Sequence, residues 1–183
     1  MEKISLEKLL ELDITGKVVC FPTDTVYGVG AKYNDLQAIE RIFAMKKRDA
    51  HKPLAILTPD RNIEAYVNGI NKTAEKLMTE YWPGAMTLIF NKSDAIDERL
   101  TNGLKTIAFR MPKSDIALPI LRKFGLMATT SVNISGEKEI NTIEEIEQCF
   151  SDYIDYLVVD QAIVSQMPSS IIDVTQDLIK QIR

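Results

Sequence analysis

Residues 16–30 form the segment that most limits how this chain can fold. Their first part, Gly16-Lys17-Val18-Val19-Cys20, is an apolar run that predicts a buried strand. Pro22 follows almost at once; it fixes φ and donates no N–H, so we expect the chain to leave the strand there. Hydroxyl, carboxylate and phenol groups then come together in Thr23-Asp24-Thr25-Val26-Tyr27, ahead of two glycines. Ligands bind at strand ends of α/β sheets, so the segment predicts either a polar turn or a ligand-binding loop.

Apolar runs and helical patterns alternate along the whole chain. Apolar or β-branched runs predict strands at residues 18–21, 54–57, 87–90, 106–110, 126–130, 156–159, 170–174 and 178–182. Apolar spacings of three and four predict helices at residues 6–12, 36–47, 63–67, 74–81, 116–124 and 143–150. Several strands follow one another without an intervening helix, which favours a mixed sheet over a purely parallel one. We therefore expect a single α/β domain over residues 1–183.

Three polar or glycine positions predict where helices begin and end. Asn34 with Gln37, and Thr142 with Glu145, resemble capping boxes at the starts of two helices. Gly125 suits the C-terminal cap of a third helix.

Composition excludes several classes of protein. The net charge of −4 argues against a surface coated with basic residues for nucleic acids, although a local basic groove remains compatible with it. No apolar run approaches the roughly 20 residues that cross a bilayer, and the first residues do not form a signal peptide. We therefore expect a cytoplasmic protein with no membrane partner.

The chemistry open to the chain is limited by its few histidines and cysteines. His51 is the only histidine, which excludes sites within one chain that need two of them and excludes a Cys/His zinc centre. Cys20 and Cys149 have no paired spacing and are expected to be reduced, buried thiols. Neither a Gly-x-Ser-x-Gly elbow nor a Gly-x-x-x-x-Gly-Lys-Ser/Thr loop occurs. A nucleotide would therefore need another binding device.

A cationic cluster follows the helix predicted after the opening segment. It reads Lys46-Lys47-Arg48-Asp49-Ala50-His51-Lys52, in a chain whose net charge is negative. One interpretation is a set of solvated cations that complement the helix dipole. The other is a polyphosphate site, with Arg48 as a bidentate fork and the lysines as point charges.

Further polar groups stand at other strand ends. Ser131 and Asn133 follow the strand predicted at 126–130, and Ser169 precedes the one at 170–174. Each could belong to an ordinary turn or to a binding loop. Arg110 continues the alternation of its strand on the side of Ala108, as a surface residue or a carboxylate anchor. Together these groups suit a small zwitterion beside a nucleotide polyphosphate, whereas Trp82, before a Pro-Gly turn, is interpreted as structural.

These segments, in this order, resemble the YrdC-like family of threonylcarbamoyl-AMP synthases, from about Ile14 to the C-terminus. The matching segments are residues 22–30, 46–48, 52–54, 82–84, 107–112, 131–136 and 169–173. The resemblance implies a twisted mixed sheet with flanking helices around a large open cavity. It also implies that L-threonine, bicarbonate and ATP yield threonylcarbamoyl-AMP and pyrophosphate. A partner complex would then transfer the threonylcarbamoyl group to tRNA, and the basic groove is a candidate for direct tRNA contact.

The resemblance also implies roles for individual residues. The residues implied to hold threonine are Thr25, Arg110, Ser131 and Ser169. Those implied to bind ATP are Lys46, Arg48, Lys52, Thr106, Asn133, Asn141 and Arg183, with Lys46 and Arg48 as the catalytic cations. Thr23 and Tyr27 would shape the cavity wall, and Asp24 has no role assigned. Mg²⁺ is expected to accompany ATP without protein ligands assigned to it, and no tightly bound cofactor is expected.

The chain departs from the family pattern at several positions. Ala85-Met86 lacks the second proline common in relatives, Val132 replaces alanine, and Leu57 lies where some relatives have a histidine near threonine. The ending at Arg183 indicates the short, single-domain form of these synthases.

Two alternatives compete with the synthase interpretation. One is a non-catalytic RNA-binding or regulatory protein of the same family. The other is carbamoyl transfer, as in the related domain of hydrogenase-maturation proteins. The second is disfavoured because those chains carry acylphosphatase-like and zinc-binding segments that have no counterpart in this sequence.

Overall fold

A computed structural model describes residues 1–47, 53–162, 164–176 and 180–183. The strands in this part of the chain are β1 (Glu2–Ile4), β2 (Val19–Pro22), β3 (Tyr27–Lys32), β4 (Ala55–Leu57), β5 (Met86–Asn91), β6 (Thr106–Arg110), β7 (Met127–Ser131), β8 (Tyr156–Val158), β9 (Ser170–Asp173) and β10 (Lys180–Gln181). The helices there are α1 (Leu6–Glu11), α2 (Leu36–Lys46), α3 (Lys72–Tyr81), α4 (Glu98–Thr101), α5 (Ala117–Phe124) and α6 (Ile143–Phe150), with a 3₁₀ turn at Glu64–Tyr66. None of these helices is both long and apolar enough to cross a bilayer.

All the strands belong to one twisted sheet with the order β1-β8-β2-β3-β7-β4-β6-β5-β9-β10. Its pairings are mixed: β4 runs parallel to β6, whereas β3 runs antiparallel to β7. The predicted α/β class and mixed sheet are therefore confirmed.

Alternation along the strands gives the sheet two faces with different coverings. One face carries Val29 and Phe109 and packs in a hydrophobic core with Ile42 of α2, Met78 of α3 and Phe150 of α6. The side chains of α1 and α5 cover part of the other face. Leu9 and Ile120 pack there in a second core with Val19, Phe21 and Met127.

Beyond α5, this second face carries many small or hydroxyl-bearing side chains. Examples are Gly28 on β3, Ala55 on β4, Ala108 on β6, Thr87 on β5 and Thr129 on β7. These residues leave space above the sheet, and they line a cavity of about 460 Å³. The cavity is therefore a consequence of small residues placed on one face of several adjacent strands.

The opening segment differs from its prediction. The strand β2 extends through Pro22, the turn occupies residues 23–26, and β3 already begins at Tyr27, paired with Pro22. The two glycines that were expected in a loop, Gly28 and Gly30, thus lie inside a strand. Their lack of side chains hid the alternation of β3, whose apolar residues Tyr27, Val29 and Ala31 all face the core on the other side.

Smaller differences concern the ends of elements. The cap of α2 is Asp35, which accepts a hydrogen bond from the Ala38 N–H at 3.2 Å, so the prediction of Asn34 is wrong. The predicted starts and ends at Thr142 and Gly125 are confirmed. The segment predicted as a helix at 63–67 forms a 3₁₀ turn instead, and β1 and α4 were not predicted. Part of the strand predicted at 178–182 lies outside the described residues.

Replacing Gly30 with alanine should destabilise the fold by about 1–3 kcal/mol, the usual cost of overpacking. The added Cβ would lie 3.0 Å from the Ala128 carbonyl oxygen and 2.5 Å from Thr129 Oγ1, so the neighbouring strand would have to move. Urea unfolding measures the loss. Gly28→Ala is the matched control, because its nearest contacts are the methyl groups of Thr129 and Thr23, at 3.0 and 3.6 Å. An equal loss in both variants would contradict this account.

The two cysteines should react very differently with Ellman's reagent. Cys20 is fully buried as predicted, and burial raises the pKa of its thiol. Cys149 is exposed, contrary to prediction, because it lies on the outer side of α6. We expect one thiol to react at once in the native protein and the second only after unfolding. In Cys149→Ser the fast reaction should disappear; if it persisted, the assigned burial of Cys20 would be wrong.

Candidate functional site

The cavity on the second face of the sheet collects six of the polar residues that the sequence singled out. Its lining includes these predicted site residues: Thr23, Thr25, Arg110, Ser131, Ser169 and Arg183. The four residues assigned to threonine therefore lie around one space, together with Arg183 from the nucleotide set.

Arg110 is the central charged group of this site. Its side chain lies on the same face as Ala108, as the strand alternation predicted, and the residue is only 6% exposed. Its Nε donates to the Gly84 carbonyl oxygen at 3.0 Å, and its Nη1 donates to Thr25 Oγ1 at 2.8 Å. Because so little of the residue is exposed, Arg110 is not a solvated surface residue.

Asp24 supplies the negative charge that balances this buried cation. Its Oδ1 lies 2.5 Å from Arg110 Nη2, which makes a partly buried ion pair. Burial lowers the pKa of Arg110, and the Asp24 carboxylate opposes that shift. The partners are 86 residues apart in sequence, so no local pattern could have predicted the pair.

Hydroxyl groups form two pairs on the cavity wall. Thr23 Oγ1 and Thr25 Oγ1 are 3.0 Å apart, and Thr87 Oγ1 lies 2.8 Å from Ser169 Oγ. Thr87 was not predicted as a site residue. The available signal was weak: a lone hydroxyl at the start of an otherwise apolar strand, on the face opposite to Leu88.

Lys46 lies inside the protein, at the end of α2. The residue is 1% exposed, and its Nζ donates to the Ser131 carbonyl oxygen at 2.7 Å. It also donates to the carbonyl oxygen and Oδ1 of Asn133, at 3.1 and 2.7 Å. Ser131 Oγ donates to the same Oδ1 at 2.8 Å. Lys46 is therefore not one of a set of solvated cations at a helix end, which was one of the two interpretations of the cationic cluster.

Thr106, Asn133 and Asn141, which were also predicted to bind ATP, do not belong to the lining of the cavity. Thr106 begins β6 and is about 13 Å from Arg110 along the strand. Asn141 Oδ1 accepts a hydrogen bond from the Tyr27 N–H at 3.0 Å. The Tyr27 side chain, assigned to the cavity wall, packs in the first core, and burial raises the pKa of its hydroxyl. Arg48 and Lys52 lie outside the described residues.

The charge of the described lining suits an anionic ligand. It contains the cations Arg110 and Arg183, several hydroxyls, and no aspartate or glutamate side chain. Arg183 Nε also donates to the Ser169 carbonyl oxygen at 3.1 Å, which fixes it at the rim. A carboxylate or phosphate can pair with the arginines, while the hydroxyls can accept from an ammonium group.

Comparison with known proteins finds a family and several relatives that this chain resembles. A family model described as "Telomere recombination" and named for Sua5, YciO and YrdC matches residues 14–183. A threonylcarbamoyl-AMP synthase of Pyrococcus abyssi is 36% identical over 163 residues, which cover 88% of this chain and 48% of the relative. One from Bacillus subtilis is 39% identical over 133 residues, which cover 71% of this chain and 38% of the relative. This chain thus spans about half the length of these curated relatives or less.

A solved structure has the same fold. The crystal structure of P. abyssi Sua5 complexed with L-threonine matches with a TM-score of 0.90 at 31% identity. The match covers all of this chain and 57% of that one. The similarity in fold therefore extends over the whole of this chain.

Replacing Lys46 with methionine should lower the free energy of unfolding by about 2–5 kcal/mol, because three oxygens lose a buried charged donor. Thermal and urea unfolding measure the effect. Lys105→Met is the control: Lys105 is exposed, so its removal should change stability by no more than about 0.5 kcal/mol. Similar small effects in both variants would show that the Lys46 ammonium does not stabilise the loop.

Proposed function

The chain belongs to the Sua5/YciO/YrdC family, and from that premise we propose that it is an L-threonylcarbamoyladenylate synthase of one domain. It would convert L-threonine, bicarbonate and ATP into threonylcarbamoyl-AMP and pyrophosphate, the first step of tRNA threonylcarbamoyladenosine modification. The observation that carries the proposal is the buried Arg110 guanidinium, which faces a hydroxyl-lined cavity. Such a cation is suited to hold the carboxylate of a small amino acid.

In the proposed complex, threonine lies over the second face of the sheet. Its carboxylate would meet the N–H groups of Arg110 that are not used by Gly84, Thr25 and Asp24. The hydroxyls of Thr25, Ser131 and Ser169 would accept from the ammonium group or meet the substrate side chain. Leu57, paired with Arg110 in the β4–β6 register, would add an apolar wall where some relatives have a histidine.

The reaction would proceed in two steps. The threonine amine attacks bicarbonate or CO₂ and forms a carbamate, with loss of water when bicarbonate is the reactant. A carbamate oxygen then attacks the α-phosphorus of ATP, and pyrophosphate leaves. This chain contributes positioning and electrostatic stabilisation rather than a covalent nucleophile.

Lys46, Arg48 and Lys52 would stabilise the charge that develops on the phosphates and on pyrophosphate. The Lys46 ammonium holds Ser131 and Asn133 in place, so it would also order the loop against the nucleotide. Thr106, Asn133, Asn141 and Arg183 would line the nucleotide. The two arginines and the hydroxyls of the cavity match the charge of this substrate set.

Mg²⁺ would enter this site together with ATP. No aspartate or glutamate side chain belongs to the described lining of the cavity, and the Asp24 carboxylate is engaged by Arg110. Magnesium prefers octahedral oxygen ligands and keeps several waters when it accompanies phosphates. The residues present therefore fit a metal held mainly by phosphate oxygens and water, with at most a hydroxyl from the protein.

With this activity, the protein would act upstream of a transfer reaction. Threonylcarbamoyl-AMP is an activated acyl donor, so a partner complex must consume it, with adenosine in tRNA as the acceptor. Direct contact with tRNA through the basic groove that the sequence predicts would be a further part of this role.

Release of pyrophosphate tests the proposal directly. We expect release only when ATP, Mg²⁺, L-threonine and bicarbonate are all present. Arg48→Ala should lower the rate by about 10²–10³-fold, because it removes one charge that stabilises the transition state. Arg122→Ala, which removes an exposed arginine of α5, is the control and should retain the rate.

Two outcomes would count against the synthase. A folded protein that releases no pyrophosphate but binds RNA would support the non-catalytic alternative. Full activity in Arg48→Ala would remove the role assigned to the cationic cluster.

A further inference from the structure

We propose that Asp24 is a positioning residue of the amino-acid site: its carboxylate orients the Arg110 guanidinium toward the substrate carboxylate. The inference rests on the proposed function, in which Arg110 is the carboxylate anchor. Nothing in the sequence pattern assigned a role to Asp24. Its role follows from the contacts of the hairpin turn between β2 and β3.

The guanidinium of Arg110 is held on three sides. A guanidinium has five N–H groups, and those directed at Gly84, Thr25 and Asp24 account for three. Two N–H groups therefore remain, and Arg110 lines the cavity in which a ligand would meet them. Two planar N–H groups bind a carboxylate well only when the plane of the guanidinium is fixed.

Of the three partners, Asp24 is the one that carries a charge. Gly84 contributes a carbonyl oxygen from a turn whose own N–H donates to the Met111 carbonyl oxygen at 2.8 Å. Thr25 contributes a hydroxyl that is shared with Thr23. Among the described residues, Asp24 makes the ion pair to Arg110. Its bond is therefore the strongest of the three restraints on the guanidinium.

The turn does not need the Asp24 side chain for its own shape. Thr23 Oγ1 accepts from the N–H groups of Thr25 and Val26, at 3.2 and 3.3 Å, and donates to the Val26 carbonyl oxygen at 2.7 Å. The hydroxyl that caps this turn thus belongs to Thr23. Within the described residues, the hydrogen bond recorded for the Asp24 carboxylate comes from Arg110.

The backbone of the turn is fixed from the opposite side. The carbonyl oxygen of Asp24 accepts from the Ser165 N–H at 3.2 Å, and that of Thr25 accepts from the Gln166 N–H at 2.8 Å. The Asp24 carboxylate therefore projects from a restrained backbone, as a positioning group requires. An anion beside Arg110 also weakens its attraction for a second anion, so the gain from Asp24 must come from orientation rather than from charge.

The test compares L-threonine with L-threoninol, which lacks the carboxylate, by titration calorimetry on the intact protein. The wild-type protein should prefer threonine, and Arg110→Ala should lose this preference. In Asp24→Ala we expect the ratio of the two affinities to fall by about 10- to 100-fold, since misplacing a binding group by an ångström has effects of that size. Binding of a non-hydrolysable ATP analogue and the circular dichroism spectrum should stay unchanged.

The variant Asp24→Asn separates the effect of orientation from the effect of charge. It also replaces the alanine variant in this test if that variant does not fold. The amide keeps an oxygen that accepts from Arg110, so the preference for threonine should stay within about threefold of wild type. A tenfold loss in Asp24→Asn would overturn the orienting role, as would an unchanged preference in Asp24→Ala. A purely structural role would weaken both ligands equally. Failure of the proposed function looks different, because the wild-type protein would then show no preference for threonine over threoninol.

Discussion

The Arg110–Asp24 ion pair joins two parts of the sheet that are not neighbours. The strands β3 and β6 are separated by β7 and β4, three spacings or about 14 Å in a flat sheet. Contacts of 2.5–2.8 Å from Arg110 to the turn after β2 therefore require this turn to lean over the cavity face. The pair makes the arrangement specific, because removing Asp24 would leave the buried Arg110 guanidinium without its charged partner. The position of the Thr25 hydroxyl on the cavity wall depends on the same contacts.

A second buried cation fixes the other side of the site. Lys46 ends a helix that packs on the opposite face of the sheet, yet its ammonium is bonded to the loop that follows β7. Burial of an ammonium group is tolerated only when its donors are satisfied, and Ser131 and Asn133 supply three oxygens for it. The position of α2 thereby determines the position of a loop at the cavity edge. Arg110 thus holds the β2–β3 turn in place, and Lys46 holds the loop after β7.

Local patterns predicted most of the elements, and contacts distant in sequence account for what they missed. Apolar periodicity identified α2, α5 and α6 because each covers a face of the sheet with large side chains. The same signal failed for β3, where Gly28 and Gly30 occupy every cavity-facing position of the strand interior. Family motifs singled out Thr25, Arg110, Ser131 and Ser169, and the fold places all four around one cavity. The same patterns assigned no role to Asp24 or Thr87, because the hydrogen-bond partner of each lies more than 80 residues away in the sequence.

The hairpin turn between β2 and β3 connects Arg110, the proposed amino-acid anchor, to the segment that supports Arg183, a proposed nucleotide contact. On one side its side chains hold Arg110; on the other, its carbonyl oxygens bind the backbone of Ser165 and Gln166. That segment continues to Ser169, whose carbonyl oxygen accepts from Arg183 Nε. Any shift of the turn that accompanies binding at Arg110 must therefore act on the backbone that supports Arg183. In the proposed complex, binding of one substrate at Arg110 would therefore stiffen the support of the other, which reduces the ordering that the second substrate still has to provide.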